Sequence, residues 1–196
     1  MTHAAGERCG WCGTDPLYVA YHDEEWGVPL RGDRDLFEFL TLEGMQAGLS
    51  WLTVLRKREN FRVALAGFDP DVIARFGDHD RQRLLADAGI VRNRQKIDAV
   101  IGNARAVLEL RERGITLCDR LWDCVDGTPR QNEWSTLDAV PAATAESTVL
   151  SRRLRADGFR FVGPTICYAL MQATGMVNDH LVSCPRYAAC RVLAAP

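Results

Sequence analysis

The chain has 196 residues, 47% of them hydrophobic and 26% charged, with a formal net charge of −2. That is the composition of an ordinary soluble protein with enough length for one domain and a sizeable core. No run approaches the ~18 to 20 apolar residues of a membrane span, and "MTHAAGERCG" lacks the apolar stretch of a signal peptide, so a cytoplasmic location is expected. In chain order, Asp33 caps a helix running to about Gly48, and Ser50 caps a second through about Leu65. Asp69 followed by Pro70 opens a third, a fourth runs up to Ala88, and a fifth spans Asn93 to Arg113 with Ile97, Ile101, Ala104 and Leu108 on one apolar stripe. Helical patterns return at 118–125, 145–157 and 164–174, and "DGTPRQNEWSTLDAVPAATA" (126–145) is the long connection. There is no alternating strand, no Gly-rich nucleotide loop, no repeat and no linker, so residues 1–196 are expected to form a single all-α domain with two lobes. Basic residues gather in "RKRENFR" (56–62), "RNRQK" (92–96) and "RRLR" (152–155), either a positive face or three solvated helix faces.

One residue breaks the pattern of the first long helix. At about 100° per residue, Leu36, Phe39, Leu40, Glu43 and Ala47 share a side, while Asp35, Glu38 and Thr41 project elsewhere. Glu43 therefore sits within the apolar face. Burying its charge demands an arginine, backbone donors or a ligand. An internal salt bridge and a binding site are both open on this argument. Trp51 follows the end of that helix, and Trp11, Tyr18, Tyr21 and Trp26 lie upstream. Such a density of flat side chains around one acceptor builds either core or a pocket for an extruded nucleobase.

The seven cysteines are odd in number and irregular in spacing, which argues for thiols, some of them metal-bound, over a disulfide framework. Cys9 and Cys12 form a CxxC, but no strand precedes it as thiol–disulfide chemistry would require. At the other end, "VNDHLVSCPRY" sets His180 four residues before Cys184, where a helix or a turn would bring both together. His22 follows Cys9 by thirteen residues. Cys9, His22, His180 and Cys184 supply two thiolates and two imidazoles, a closed tetrahedral set suited to structural zinc and able to tie the chain ends together. The spacing is not that of a zinc finger. Cys12 is left as a bystander or a substitute ligand.

"RCGW", "DPLYVAYHDEEWGVP", "LFEFLTLEGMQAGLSWLTVLRKRENFR", "DAGIVRNRQKIDAVIGNARA", "GFRFVGPTICYALMQATGMVNDH" and Cys184 resemble, in order, the type I DNA-3-methyladenine glycosylases, bacterial base-excision repair enzymes. The resemblance runs from about Arg8 to Tyr187. It implies the all-α helix-hairpin-helix glycosylase fold with one structural Zn2+, its ligands falling on Cys9, His22, His180 and Cys184. The family's base-pocket carboxylate falls on Glu43 and its stacking aromatics on Tyr21 and Trp51, with Tyr18 and Trp11 in matching blocks as pocket walls. The hairpin falls on "LLADAGIVRNRQKI", within about 79–106, where Gly89 is expected to make the turn and free N–H groups to hold a DNA phosphate. Arg94 and Lys96 are expected to assist. The common hairpin has two glycines, and Val91 stands where the second would be.

The expected activity is hydrolysis of the N-glycosidic bond of 3-methyladenine in alkylated double-stranded DNA. It would release the free base and leave an abasic site, with a cationic ring gripped between Tyr21 and Trp51 and read by ionised Glu43. No lysine is carried over as a nucleophile, so no strand cleavage is expected. A monomer is expected. Two other classes fit parts of the sequence: a sensor that holds alkylated bases without excision, and a zinc-dependent thiol protein using Cys9 and Cys12. Residues before Arg8 and the tail "AACRVLAAP" depart from the family pattern, and Cys190 is expected to be incidental.

Overall fold

A computed structural model describes residues 6–193. The chain is mostly helical. After a short 3-10 turn at Gly10–Cys12 comes α1 (Pro16–Glu24), whose start is fixed by the Asp15 carboxylate accepting from the N–H groups of Leu17 and Tyr18, with Pro16 in the first turn. This helix was not anticipated from the sequence, although Asp-Pro is the same signal that opens the helix at Pro70.

The central element is α2 (Asp33–Gln46). Every residue from Leu36 through Met45 is buried, so the helix is enclosed on all sides, and the expected amphipathic face does not exist. Glu38 and Thr41, assigned by periodicity to other faces, are buried with the rest.

The single helix expected from Ser50 to Leu65 is two, α3 (Trp51–Leu55) and α4 (Arg58–Ala64). The break lets Lys57 turn toward the carbonyls of Ala88 and Gly89, at 3.0 and 3.3 Å. Next come α5 (Pro70–Ile73), α6 (Asp78–Ala86) and α7 (Arg94–Glu112), the last capped by Asn93. The apolar contact surface of α7 is wider than a stripe: Val100, Val107 and Leu110 are buried beside Ile97, Ile101 and Ala104, while Leu108 is half-buried.

In the turn between α6 and α7 a Cβ at Gly89 would lie 2.9 Å from Asp87 Oδ1 and 3.1 Å from Asn60, so it would displace the two side chains that bond the Gly89 N–H and carbonyl. Then follow α8 (Leu117–Trp122), α9 (Ala145–Ala156) and α10 (Pro164–Ala173). Two two-residue strands, β1 (Arg130–Gln131) and β2 (Val177–Asn178), pair in parallel and bind the long connection to the segment after α10. Gly175, at φ +69°, turns the chain between α10 and β2 so tightly against Val28 and Pro29 that no Cβ fits. A last helix, α11 (Pro185–Leu193), also went unread in the sequence; it buries Cys190.

One apolar core runs from Tyr21 to Val177, and a small second cluster of Cys9, Leu181 and Cys184 packs against Trp11, Trp134 and Leu137. Among the described residues no helix is long and apolar enough to cross a membrane.

Candidate pocket and metal centre

Between α1, the end of α2, α10 and the long connection lies a cavity of about 210 Å³. Trp11, Tyr18, Tyr21, Trp26 and Trp51 form its aromatic side, Leu137, Val140 and Ala169 an apolar one, and Glu43, Gln46, Gln172 and Asp179 supply polar atoms. Tyr18 and Tyr21 project together because they are three apart on α1, and His22, four beyond Tyr18, points past them to Cys184 and His180. Glu43 reaches the cavity from the last turn of α2. Among the described residues its carboxyl has no hydrogen-bond or ion-pair partner, and burial alone pushes it up to about 8. Burial, and then the neighbouring Glu43, holds the Tyr21 phenol well above its ordinary value, so it stays a donor.

The rings do not form parallel plates. Tyr21 and Trp51 touch each other, centroids 5.5 Å apart and planes tilted by 48°, which leaves no space for a third ring between them. The expected sandwich is replaced by a corner: a flat ligand can lie against one ring with its edge toward the other. The Trp51 indole N–H is buried without a protein acceptor.

The turn that leads from α2 to Trp51 is held from outside the cavity. Lys96 Nζ donates to the carbonyls of Met45, at 2.8 Å, and Ala47, at 2.6 Å, capping the C-terminus of α2 where a cation is favoured. Lys96 is 8% exposed, so it is not a free surface cation, contrary to expectation. The Gly89 N–H is likewise occupied, donating to Asp87 Oδ1 at 2.7 Å. Arg94 alone of the three expected DNA contacts is exposed and uncommitted.

Cys9, His22, His180 and Cys184 are all buried, and their ligand atoms lie within 4.8 Å of one another. Cys9 Sγ is 3.6 Å and Cys184 Sγ 3.8 Å from His180 Nδ1, and Cys184 Sγ is 3.7 Å from His22 Nε2. Tetrahedral zinc with bonds of roughly 2.3 Å to sulfur and 2.0 to 2.1 Å to nitrogen implies S···N edges of about 3.6 Å, so the set fits such an ion. The turn at 180–184, and not a helix, makes the i, i+4 pair converge.

The outer hydrogen bonds fix both imidazoles. His22 Nδ1 donates to Asp23 Oδ1 at 2.8 Å, Asp23 is gripped in turn by Arg8, and His180 Nε2 donates to the Trp26 carbonyl at 3.0 Å. The Leu181 N–H donates to Cys9 Sγ at 3.3 Å. A hydrogen bond from the Cys9 thiol, above all, pulls Cys184 far below the ordinary thiol value, which already favours the thiolate a metal requires. Cys12 lies apart, its thiol donating to the Cys9 carbonyl at 3.2 Å.

The Cys2His2 cluster also backs the cavity. Trp11 packs on His22 with centroids 5.2 Å apart, Trp26 on His180 at 4.6 Å, and Trp11 on Trp26 at 4.9 Å. Sequence reasoning missed Asp179, Gln46, Gln172 and the two residues of the long connection, Leu137 and Val140. Only Asp179 left a signal, an acidic residue beside a candidate ligand in "VNDH".

The family model described as methyladenine glycosylase matches residues 11–187. DNA-3-methyladenine glycosylase 1 of Escherichia coli (strain K12) is 52% identical over 181 residues, covering 92% of this chain and 97% of that one. A crystal structure of 3-methyladenine DNA glycosylase I superposes with a TM-score of 0.90 at 51% identity, covering 91% and 98% of the two chains. The Staphylococcus aureus 3-methyladenine DNA glycosylase I, solved for the basis of its 3-methyladenine recognition, does so with 0.89 at 34% identity, covering 93% and 97%. The Cys2His2 cluster, the aromatic cavity and the buried glutamate thus lie inside a chain that, along nearly its whole length, belongs to the methyladenine glycosylase family.

Proposed function

We propose that this chain is a base-excision repair enzyme that hydrolyses the N-glycosidic bond of 3-methyladenine in alkylated double-stranded DNA, freeing the base and leaving an abasic site. The observation that carries the reading is Glu43: a carboxyl without a protein partner, buried at the end of an aromatic cavity. With its value raised to about 8, ionising it at pH 7 costs about 1 kcal/mol. Attraction to a unit positive charge about 4 Å away is worth about 4 kcal/mol at an effective dielectric of 20. Attraction wins, so a cationic base ionises Glu43 and a neutral one does not. Methylation at N3 gives the nucleotide such a charge.

The same charge weakens the glycosidic bond. As it breaks, its electron pair goes to the base, which leaves neutral, and the sugar becomes oxocarbenium-like. Water then bonds to C1′ and loses a proton to solvent. Tyr21 and Trp51 contribute an attractive π-face of roughly 0.5 to 2 kcal/mol to the cation, with Tyr18 and Trp11 behind them as walls. A solved relative with a Tyr-to-Phe replacement was obtained in complex with 3-methyladenine, which supports that ligand for the family's pocket. Incubation with methylated DNA and chromatography of the released bases tests the reading: 3-methyladenine should appear without strand cleavage. Binding without release would leave a sensor.

The zinc reading rests on the closed Cys2His2 set. Bound there, zinc would supply a fixed cross-link with no open position for water. Cys9, His22, His180 and Cys184 would hold it, Asp23 and the Trp26 carbonyl would orient the imidazoles, and the Trp11 and Trp26 rings would take their places from those imidazoles. Elemental analysis should find about one zinc per chain, and chelation should shift tryptophan fluorescence as well as lower thermal stability. For DNA, Arg94 at the start of α7 remains the phosphate contact to test, while Lys96 caps the end of α2 and Gly89 belongs to the turn before α7. We place the protein in the cytoplasm with its DNA substrate, as a monomer acting through a single domain.

A further inference from the structure

Asp179 lines the cavity, is 2% exposed, and takes no part in the roles given so far to Glu43 or the metal cluster. Four hydrogen bonds converge on it. Asn132 Nδ2, at 2.6 Å, and Trp134 Nε1, at 2.8 Å, donate to Oδ1, while the Tyr168 hydroxyl, at 2.6 Å, and Gln172 Nε2, at 2.8 Å, donate to Oδ2. All four donors are neutral, and among the described residues no arginine, lysine or histidine pairs with this carboxylate. The bonds offset its desolvation and leave its charge uncancelled.

The same network could be held without a charge. An asparagine would keep an oxygen toward Asn132 and Trp134 and present its amide N–H groups to the Tyr168 hydroxyl and the Gln172 amide. Both of those partners can reverse from donor to acceptor. Hydrogen bonding therefore accounts for a polar residue at 179 and not for an acidic one. What the acid adds is a fixed negative charge in the wall of an aromatic cavity.

We propose that Asp179 is a specificity-determining residue whose charge makes the pocket select a cationic purine over a neutral one of the same outline. The inference rests on the base-excision reading and deepens it: Glu43 is free to bond the edge of the base, while Asp179, its oxygens already engaged, acts through space.

The test compares two duplexes, one carrying 3-methyladenine and one carrying 3-deaza-3-methyladenine at the same position. In the second, carbon replaces N3, so the shape is kept and the charge is gone. Wild type, Asp179→Asn and Tyr168→Phe are measured for binding of the neutral duplex, single-turnover release of 3-methyladenine, metal content and thermal unfolding. Asp179→Asn should bind the neutral duplex within about twofold of wild type while releasing 3-methyladenine about tenfold or more slowly, as loss of one nearby charge implies. Tyr168→Phe, which removes a donor and keeps the charge, should preserve the wild-type ratio of the two readouts. Parallel loss of both readouts in Asp179→Asn, no loss in either, or the same skew in Tyr168→Phe would overturn the proposal. So would an Asp179→Asn chain that fails to fold, because the amide would then be unable to hold the network. A wild-type chain that releases no 3-methyladenine would overturn the base-excision reading itself, and this inference with it.

Discussion

Two buried glutamates five residues apart on α2 have opposite circumstances. Glu38 is clamped by Arg58, whose Nε lies at 2.5 Å, and by Arg62, at 2.8 Å, with Arg58 continuing to Glu25 at 2.6 Å. Glu43 has no partner, and burial raises it to about 8. The first is a charge the fold has neutralised, the second a charge the fold has left for something else to neutralise. Burial is common to both, so burial does not mark a site; the missing counter-charge does.

The largest effect should come from breaking the satisfied member. Glu38→Ala removes the buried carboxylate that two guanidiniums share, leaving Arg58 with Glu25 alone and Arg62 with the exposed Glu59 alone, and should cost about 3 kcal/mol of folding stability. Denaturant unfolding measures it, and the folded fraction should excise at the wild-type rate. A chain that kept its stability but lost its rate would reverse the roles given to the two residues.

Glu43→Gln should do the opposite. It keeps the shape and removes the charge, so single-turnover release of 3-methyladenine should fall by about 30- to 100-fold, the worth of one charge-assisted hydrogen bond of roughly 2 to 3 kcal/mol. The ligand-free variant should be at least as stable as wild type. If the rate is unchanged, or is lost only through unfolding, Glu43 is a structural carboxyl.

The pH dependence of stability sharpens the contrast. Glu43 keeps its proton in the folded chain up to about 8, against an ordinary glutamate value of 4.5. Between those limits the folded state binds more protons than the unfolded one, so this group lowers stability as pH rises, by about 1 kcal/mol per pH unit, and adds no further slope above. Glu43→Gln lacks that slope. The stability difference between variant and wild type should therefore grow from pH 5 to pH 8, and thermal unfolding at the two ends reads it. A constant difference would mean that the carboxyl ionises freely in the folded chain.

The smallest expected effect is at the DNA face. Arg94→Ala should weaken binding to all duplexes alike and reduce the slope of log K against log salt by about 1. An unchanged slope would move the phosphate contact away from α7.

The sequence makes legible those features that depend on residue type and local spacing. Asn93 begins α7, Pro164 sits in the first turn of α10, and Glu43 stands out as an acid among apolar neighbours. The four candidate metal ligands are few enough in kind to be grouped without coordinates, and the fold brings them together. What stays hidden is set by partners distant in sequence. Lys96 reads as one more cation in "RNRQK", and only the carbonyl end of α2, about fifty residues earlier, makes it an internal cap. Tyr21 and Trp51 are both visible as aromatics, but their tilt is decided by the packing of α1 on α3. Asp179 depends on donors from α10 and from a connection without regular structure.

The Cys2His2 cluster joins Cys9 to His180 across 171 positions. Closing so long a loop is entropically costly and comes late, after local contacts in α2 and α7 can already have formed. During synthesis, then, a chain can hold most of its core before the back wall of its pocket exists, and every nascent chain shorter than about 180 residues lacks His180, Cys184 and the carboxylate at 179.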